Sequence, residues 1–373
     1  MTWFMFVAFS GYYVLLVFLC VGWWRALKLI RRADRLTDTP FISVLIPARN
    51  EAAKIEQLLE SIAQQEYNPK NFEAIVINDH SVDDTETIVK RWKAANPTVS
   101  VVVINLADDR QGKKAAIAQG VHYAQGDIVV TTDADCRVQP GWLASVAHSF
   151  DDNTQLVVGA VTLFENGTAF GNVQVVEFAS LVGTGAATLG WGMPTMCNGA
   201  NLAFRKSAFL EVKGYEGSEH IASGDDEFLL RKIAGRYSGG IRFNNQPEGV
   251  VEARPAASYK EFFHQRIRWA GKWRAHGVGF SALLALFIFV FHASTILLGI
   301  GVIAGVASPL LALMLFGIKI VGEFAFLYPV LKFCKGKFYP ASFLVLQFLY
   351  PFYVVCFGLA ANFFGAEWKG RKI

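Results

Sequence analysis

Charge is scarce in this chain: of 373 residues only 18% are Asp, Glu, Lys or Arg, while 53% are hydrophobic. The net charge of +4 is too mild to point to nucleic acid and reads instead as basic flanks facing anionic lipid. Cysteine is sparse as well. Cys20, Cys136, Cys197, Cys334 and Cys356 are scattered without metal-ligand spacing, which argues against a zinc site or a disulfide framework and suits a reducing compartment. His80 and His264 have no metal-spaced partner either, and read as packing or hydrogen-bonding residues. No strand-like run is followed by Gly-x-Gly-x-x-Gly or by Gly-x-x-x-x-Gly-Lys-Ser/Thr. Dinucleotide-dehydrogenase and P-loop chemistry therefore lose their main support.

The apolar excess lies at the two ends. Residues 3–24 form an uncharged run rich in Phe, Val, Leu and Trp, long enough to cross a hydrocarbon core of ~30 Å. It lacks a preceding basic region and a small-residue cleavage site, so the expectation is an anchor rather than a cleaved signal. Arg25, Lys28, Arg31 and Arg32 follow, which places that flank in the cytoplasm. Runs at about 280–306, 309–331 and 339–364 are expected to span as well. Lys319 and Glu323 stand four apart inside the second of these, so they share a helix face and should pair inside a protein interface. The middle of the chain and the loop from Lys332 to Lys337 then fall on the cytoplasmic side. Lys369-Gly370-Arg371-Lys372 would count as outside, against the positive-inside trend, and the side of the C-terminus stays open.

Between these ends, apolar β-branched runs alternate with amphipathic ones. Strands are expected at 41–47, closed by Pro47, then at 74–77, 99–104 and 128–132, with helices at about 52–65 and 113–124. Asp83 and Asp84 sit where a further helix begins. This rhythm predicts an α/β fold with a mostly parallel sheet, whose ligands lie at the carboxyl edge of the strands. A strand over 155–162, a small-residue-rich helix over 170–190 and a strand over 199–204 follow. The expected organisation is an anchor at 1–30, an α/β domain at 40–257, an interfacial helix at 258–278 and a transmembrane bundle at 279–373.

Three stretches carry chemistry. The strand Ile128-Val129-Val130-Thr131-Thr132 ends in Asp133-Ala134-Asp135. In an extended segment residues i and i+2 point to one side, so the two carboxylates converge, and a hard divalent cation would relieve their repulsion. Gly224-Asp225-Asp226 opens another helix, with Ser223 or Asp225 placed to cap it. A basic, aromatic helix over 258–275 contains Gln265-Arg266-Ile267-Arg268-Trp269 and runs on through Lys272, Trp273 and Arg274, which suit an interfacial anchor.

Taken in order, Pro47-Ala48-Arg49-Asn50-Glu51, Asn78-Asp79-His80-Ser81, Gly112-Lys113, Asp133-Ala134-Asp135, Gly224-Asp225-Asp226 and the Gln-x-x-Arg-Trp motif at 265–269 resemble the membrane-bound family-2 glycosyltransferases of the GT-A fold. That group includes ceramide glucosyltransferase, hyaluronan synthase and cellulose synthase. The resemblance covers roughly residues 41–275. It departs in having Asn-Asp-His-Ser where the family has Asp-Asp-Gly-Ser, so only Asp79 is carried over, and in having Asp225-Asp226 for the family's Glu-Asp.

The resemblance implies a UDP-sugar donor, held by Pro47, Glu51, Asp79, Lys113, Asp133, Asp135, Gln265, Arg268 and Trp269, and a magnesium or manganese ion on Asp135. It makes Asp226 the general base, with Asp225 and Trp269 on the acceptor side, and it implies one displacement with inversion. The acceptor is expected to be a membrane lipid at the cytoplasmic face of the inner or plasma membrane. A growing glycan, made by a processive synthase that a partner subunit completes, is the alternative. A non-catalytic nucleotide-sugar-sensing subunit is a further reading, weakened by the presence of Asp226 and the Gln265–Trp269 set. A transporter is disfavoured, because only Lys319 and Glu323 place charge within the apolar runs.

Overall fold

The computed structural model describes residues 2–28, 39–219, 221, 224–271, 279–361, 363, 367–368 and 371–372. The chain divides into two compact units. One comprises Met1–Trp23, Glu165–Ala187 and Pro255–Ile373, and the other Trp24–Phe164 and Thr188–Arg254. The calls on Ser223 and on Lys272, Trp273 and Arg274 lie outside the described residues.

The first half runs α1 (Thr2–Lys28), β1 (Ile42–Ala48), α2 (Ile55–Ala63), β2 (Phe72–Asn78), α3 (Thr85–Ala95), β3 (Val101–Asn105), α4 (Lys113–Tyr123) and β4 (Ile128–Thr131). Then come β5 (Arg137–Val138), α5 (Trp142–His148), β6 (Leu156–Val158), β7 (Val161–Leu163), α6 (Ala169–Gly190), β8 (Leu202–Arg205) and α7 (Lys206–Glu211). The chain continues with α8 (Asp225–Arg236), β9 (Ile241–Phe243), β10 (Val251–Ala253) and α9 (Tyr259–Ala270). It ends in α10 (Phe280–Ile303), α11 (Pro309–Phe333), α12 (Pro340–Ala360) and the short strands β11 (Glu367–Trp368) and β12 (Arg371–Lys372).

The α/β unit is built on a seven-stranded sheet in the order β3-β2-β1-β4-β8-β6-β9. Its first four members are parallel, and β8 runs antiparallel to both β4 and β6. Strand β1 lies inside the sheet, between β2 and β4. Ile42, Val44, Leu45 and Ile46 are all fully buried, the continuous apolar run expected of a parallel strand covered on both faces. Helix α2 lays Ile55, Leu58, Leu59 and Ile62 onto the core, as their spacing predicts.

Two expectations change. Pro47 does not close β1, which continues to Ala48 with Pro47 opposite Ile77. The pairing of β1 with β4 ends at Leu45 and Thr131, so the donor that proline lacks falls beyond the ladder on that side. The run at 155–162 forms two short strands in different sheets, because β6 pairs with β8 and β9 while β7 joins β10.

The second unit is helical. Among the described residues, five helices, α1 from Trp3 onward, α6, α10, α11 and α12, are long and apolar enough to cross a membrane. Leu283, Ile303, Leu313, Val321 and Phe348 are largely exposed, a surface that suits hydrocarbon. Helix α6 differs in being mostly buried. A side chain at Gly183 would come within 2.8 Å of Val330, so glycine there lets α6 and α11 approach closely. Lys319 and Glu323 pair as their spacing predicts, at 3.0 Å. Lys319 also donates to Gln347 Oε1 at 2.7 Å, Gln347 Nε2 donates to Glu323 at 2.9 Å, and the Tyr12 hydroxyl donates to Glu323 at 2.6 Å.

Candidate active site

The carboxyl ends of the central strands bring the α/β unit's predicted residues together. Asp79 leaves β2 buried, its Oδ2 accepting the Gly112 backbone N–H at 3.0 Å and its Oδ1 3.0 Å from His80 Nδ1. Arg49, at the end of β1, donates to the carbonyls of Asp79 at 2.8 Å and His80 at 3.0 Å. His80 therefore does serve as a hydrogen-bonding residue, held at a φ of 54°, a left-handed conformation uncommon outside glycine.

Gly112 takes a φ of 89° immediately before α4, a turn open to glycine. Lys113 is the first residue of that helix. Its Nζ lies 2.6 Å from Asp133 Oδ1 and 3.4 Å from Asp225 Oδ2. Asp225 and Asp226 begin α8, where a helix N-terminus favours acids. The N-cap position is occupied by Gly224, at a φ of 81°, and among the described residues no side chain caps the helix. Asp226 Oδ2 accepts the Gly199 N–H at 3.2 Å. A Cβ on Gly199 would stand 2.6 Å from Asp225 Oδ2 and 2.9 Å from Lys113 Nζ, so a side chain there would displace the ends of these two groups.

A second chain of alternating charge runs alongside. Lys54 Nζ is 3.5 Å from the buried Glu51 and 3.6 Å from Asp135. Asp133 and Asp135 do converge, for a different reason from the one the sequence suggests. Strand β4 ends at Thr131, and the carboxylates lie on a turn closed by the Cys136 N–H on the Asp133 carbonyl. Ligand atoms of Asp133, Asp135 and the buried Cys136 all lie within 4.8 Å of one another. Carboxylate oxygens at that separation, one of them on the partly exposed Asp135, fit a divalent cation.

The local field is negative. Burial opposes the charge on Lys113, but the carboxylates of Asp133 and Asp225 outweigh it and raise its pKa well above the usual lysine range. Burial, reinforced by Asp225 and Asp226, pushes the Tyr215 phenol far up. Burial, with Asp133 and Asp135, does the same to the Cys136 thiol.

Gln265, Arg268 and Trp269 stand on α9, in the helical unit. Sequence reasoning missed Lys54, Arg49, Gly199 and Cys136. Lys54 had a signal, since it follows Glu51 by three residues at the start of a helix. Gly199 had none, because its role depends on a contact with residues far along the chain.

A family model described as glycosyl transferase family group 2 matches residues 128–359, and one described as glycosyl transferase family 2 matches residues 43–212. The chain belongs to the family-2 glycosyltransferases. Among relatives, the chain is 25% identical over 243 residues to the "Probable glycosyltransferase YdaM" of Bacillus subtilis (strain 168), covering 64% of this chain and 56% of that protein. It is 29% identical over 233 residues to the poly-beta-1,6-N-acetyl-D-glucosamine synthase of Staphylococcus aureus (strain COL), covering 61% and 53%. The chain thus spans about half the length of these curated family members. Among solved structures, the mannosyltransferase PcManGT from Pyrobaculum calidifontis, in complex with GDP-Man and Mn2+, superposes with a TM-score of 0.57 at 22% identity. That match covers 92% of this chain and 97% of the other and establishes the shared GT-A fold.

Proposed function

We propose that the chain transfers a sugar from a UDP-sugar to a membrane lipid at the cytoplasmic face, with inversion at the anomeric carbon. The observation that carries this reading is the run Asp133–Lys113–Asp225, which links the Asp-x-Asp turn to the acid pair opening α8. In the proposed step the acceptor hydroxyl oxygen bonds to the anomeric carbon, the bond from that carbon to the diphosphate breaks, and Asp226 takes the hydroxyl proton. A single displacement of this kind needs no protein nucleophile. Asp79 supports the uracil ring, and Glu51 and Pro47 border the nucleotide. Lys113 keeps its proton beside Asp133 and Asp225 and so offers a fixed positive charge to the diphosphate. Asp225 serves the acceptor side. Asp135, with Asp133, would hold a magnesium or manganese ion, which supplies charge neutralisation for the leaving diphosphate. Gln265, Arg268 and Trp269 are assigned to the diphosphate and the acceptor sugar through their motif. The boundaries 40–257 for the catalytic segment and 258–278 for the interfacial helix belong to this proposal, as does a cytoplasmic catalytic segment, which rests on Arg25 and Lys28 at the end of α1.

A second reading, processive synthesis of a polysaccharide with a partner subunit, is favoured by the 29% identity to the poly-N-acetylglucosamine synthase. Purified full chain in nanodiscs, assayed for nucleotide release from UDP-glucose, UDP-N-acetylglucosamine and GDP-mannose with and without membrane lipid extract, separates the two. Lipid-dependent release of UDP supports the lipid acceptor. Release that yields a lengthening polymer without added lipid supports the synthase. GDP release alone would overturn the uracil assignment. UDP binding with no turnover would overturn the transferase reading in favour of a sensing subunit.

A further inference from the structure

The motif on α9 is held by a residue that its consensus leaves undefined. Arg266, between Gln265 and Ile267, is buried together with Glu177 of α6, their side chains 2% and 3% exposed, and the two form an ion pair through Arg266 Nη2 and Glu177 Oε2. The other oxygen of Glu177 accepts the Tyr353 hydroxyl at 3.0 Å, so α6, α9 and α12 meet at one carboxylate. All of these residues belong to the helical unit.

A buried Arg–Glu pair is an expensive way to join helices. Well-packed apolar side chains of similar volume serve stability as well or better. What the guanidinium does that an apolar group cannot is orient its neighbours. Its Cζ lies 4.3 Å from the ring centre of Phe262 and 4.3 Å from that of Trp269, residues four before and three after it on one helix face. The cation is thus held between two aromatic planes, and Trp269 meets Phe178 of α6 from the side, at 6.0 Å and 46°. Nη1 reaches back to Gln265 Oε1 at 2.5 Å. A guanidinium has donors only and must meet the amide oxygen, which turns the NH2 end of Gln265 away from Arg266. Gln265 is thereby fixed as a donor, the polarity that an oxyanion or a sugar oxygen accepts.

We propose that Arg266, clamped by Glu177, is the positioning residue that fixes Gln265 and Trp269 for their work on the sugar substrate. The proposal rests on the transferase reading above. Helix α9 presents its motif in one orientation because the guanidinium is shared among a carboxylate, an amide and two rings, and only a planar fork can satisfy all four at once.

The test uses the full chain in nanodiscs with Arg266→Lys, Arg266→Met, Gln265→Ala, Trp269→Leu and the double variant Arg266→Lys/Trp269→Leu. UDP affinity is measured by calorimetry, kcat and KM by UDP release, and folding by thermal melting. Arg266→Lys retains a cation for Glu177, so the chain is expected to fold, with a lowered melting temperature because the amide and ring contacts are lost. Its kcat should fall by about tenfold or more, the scale on which misplacement acts. In the double variant the loss should be close to the larger of the two single losses and well short of their product, because both changes act on the same arrangement. Arg266→Met should lose at least as much as Arg266→Lys. Full kcat in a folded Arg266→Lys, or losses that multiply in the double variant, would overturn the positioning role while leaving the transferase standing. Full kcat in both Gln265→Ala and Trp269→Leu would remove the motif from catalysis, and the proposal with it.

Discussion

Lys113 Nζ lies 2.6 Å from Asp133 Oδ1, which ties the first residue of α4 to the Asp-x-Asp turn after β4. The same ammonium group faces Asp225. One cation thereby separates carboxylates that would otherwise repel across the site, and the sequence positions it joins are remote from one another.

That arrangement predicts a lysine that does not give up its proton. Because its folded-state pKa is raised, its contribution to stability is complete below the ordinary lysine value and is lost only as the pH climbs past the raised one. Stability should therefore show no step from Lys113 between neutral pH and the ordinary lysine range. Amine acetylation at mildly alkaline pH, read by mass spectrometry, should modify exposed Lys90 well before Lys113. Equal labelling of the two would contradict the pairing. Lys113→Met should weaken UDP affinity by about tenfold or more, the consequence of removing a charge from a low-dielectric site.

Gly199→Ala offers a test of the crossing itself. Its Cβ would enter within 2.6 Å of Asp225 Oδ2 and 2.9 Å of Lys113 Nζ, so the ends of these side chains must shift. Transfer should fall by about tenfold or more in a chain that still folds. An unchanged kcat would show that the site tolerates the displacement.

Metal removal should act on binding as well as on turnover. Chelation is expected to weaken UDP affinity in calorimetry, and manganese to restore it. Asp135→Asn should lose most of that metal-dependent gain, since Asp135 offers a partly exposed carboxylate beside Asp133 and Cys136. UDP binding indifferent to chelation would contradict a cation on this turn.

In the helical unit, Lys319→Met should destabilise strongly, by about 3–5 kcal/mol, because it strands the Glu323 charge among buried partners. Lys319→Met combined with Glu323→Gln should recover part of that loss, and melting temperatures in detergent would show it. Additive losses would mean that the two side chains act independently.

The strands that build the site were legible because β1, β2 and β4 are short β-branched runs with polar residues at their carboxyl ends. Asp133 and Asp225 stand out in the sequence in the same way, one after an apolar run and one opening a helix, whereas Asp79 and Lys113 enter as candidates only through the motifs of the family resemblance. The local geometry was not legible. Asp133 and Asp135 look like alternate residues of a strand, yet a single backbone bond from Cys136 to Asp133 turns them together, and periodicity does not register one hydrogen bond. The allegiance of α6 was hidden as well. Its Gly, Ala, Val and Thr residues suit a domain core and a helix bundle equally, and only contacts such as Gly183 with Val330 and Glu177 with Arg266 distinguish them. Arg266 reads in sequence as one more basic residue of an interfacial helix.

The most direct test of the account is single-turnover transfer by Asp226→Asn beside the parent chain, with UDP affinity measured on the same samples. Asparagine keeps the shape of the side chain and removes its basicity. The account predicts UDP affinity within about threefold of the parent and transfer slowed by ~10²–10⁴-fold, the range a general base supplies. Transfer at the parent rate would contradict the assignment of Asp226 and with it the proposed displacement.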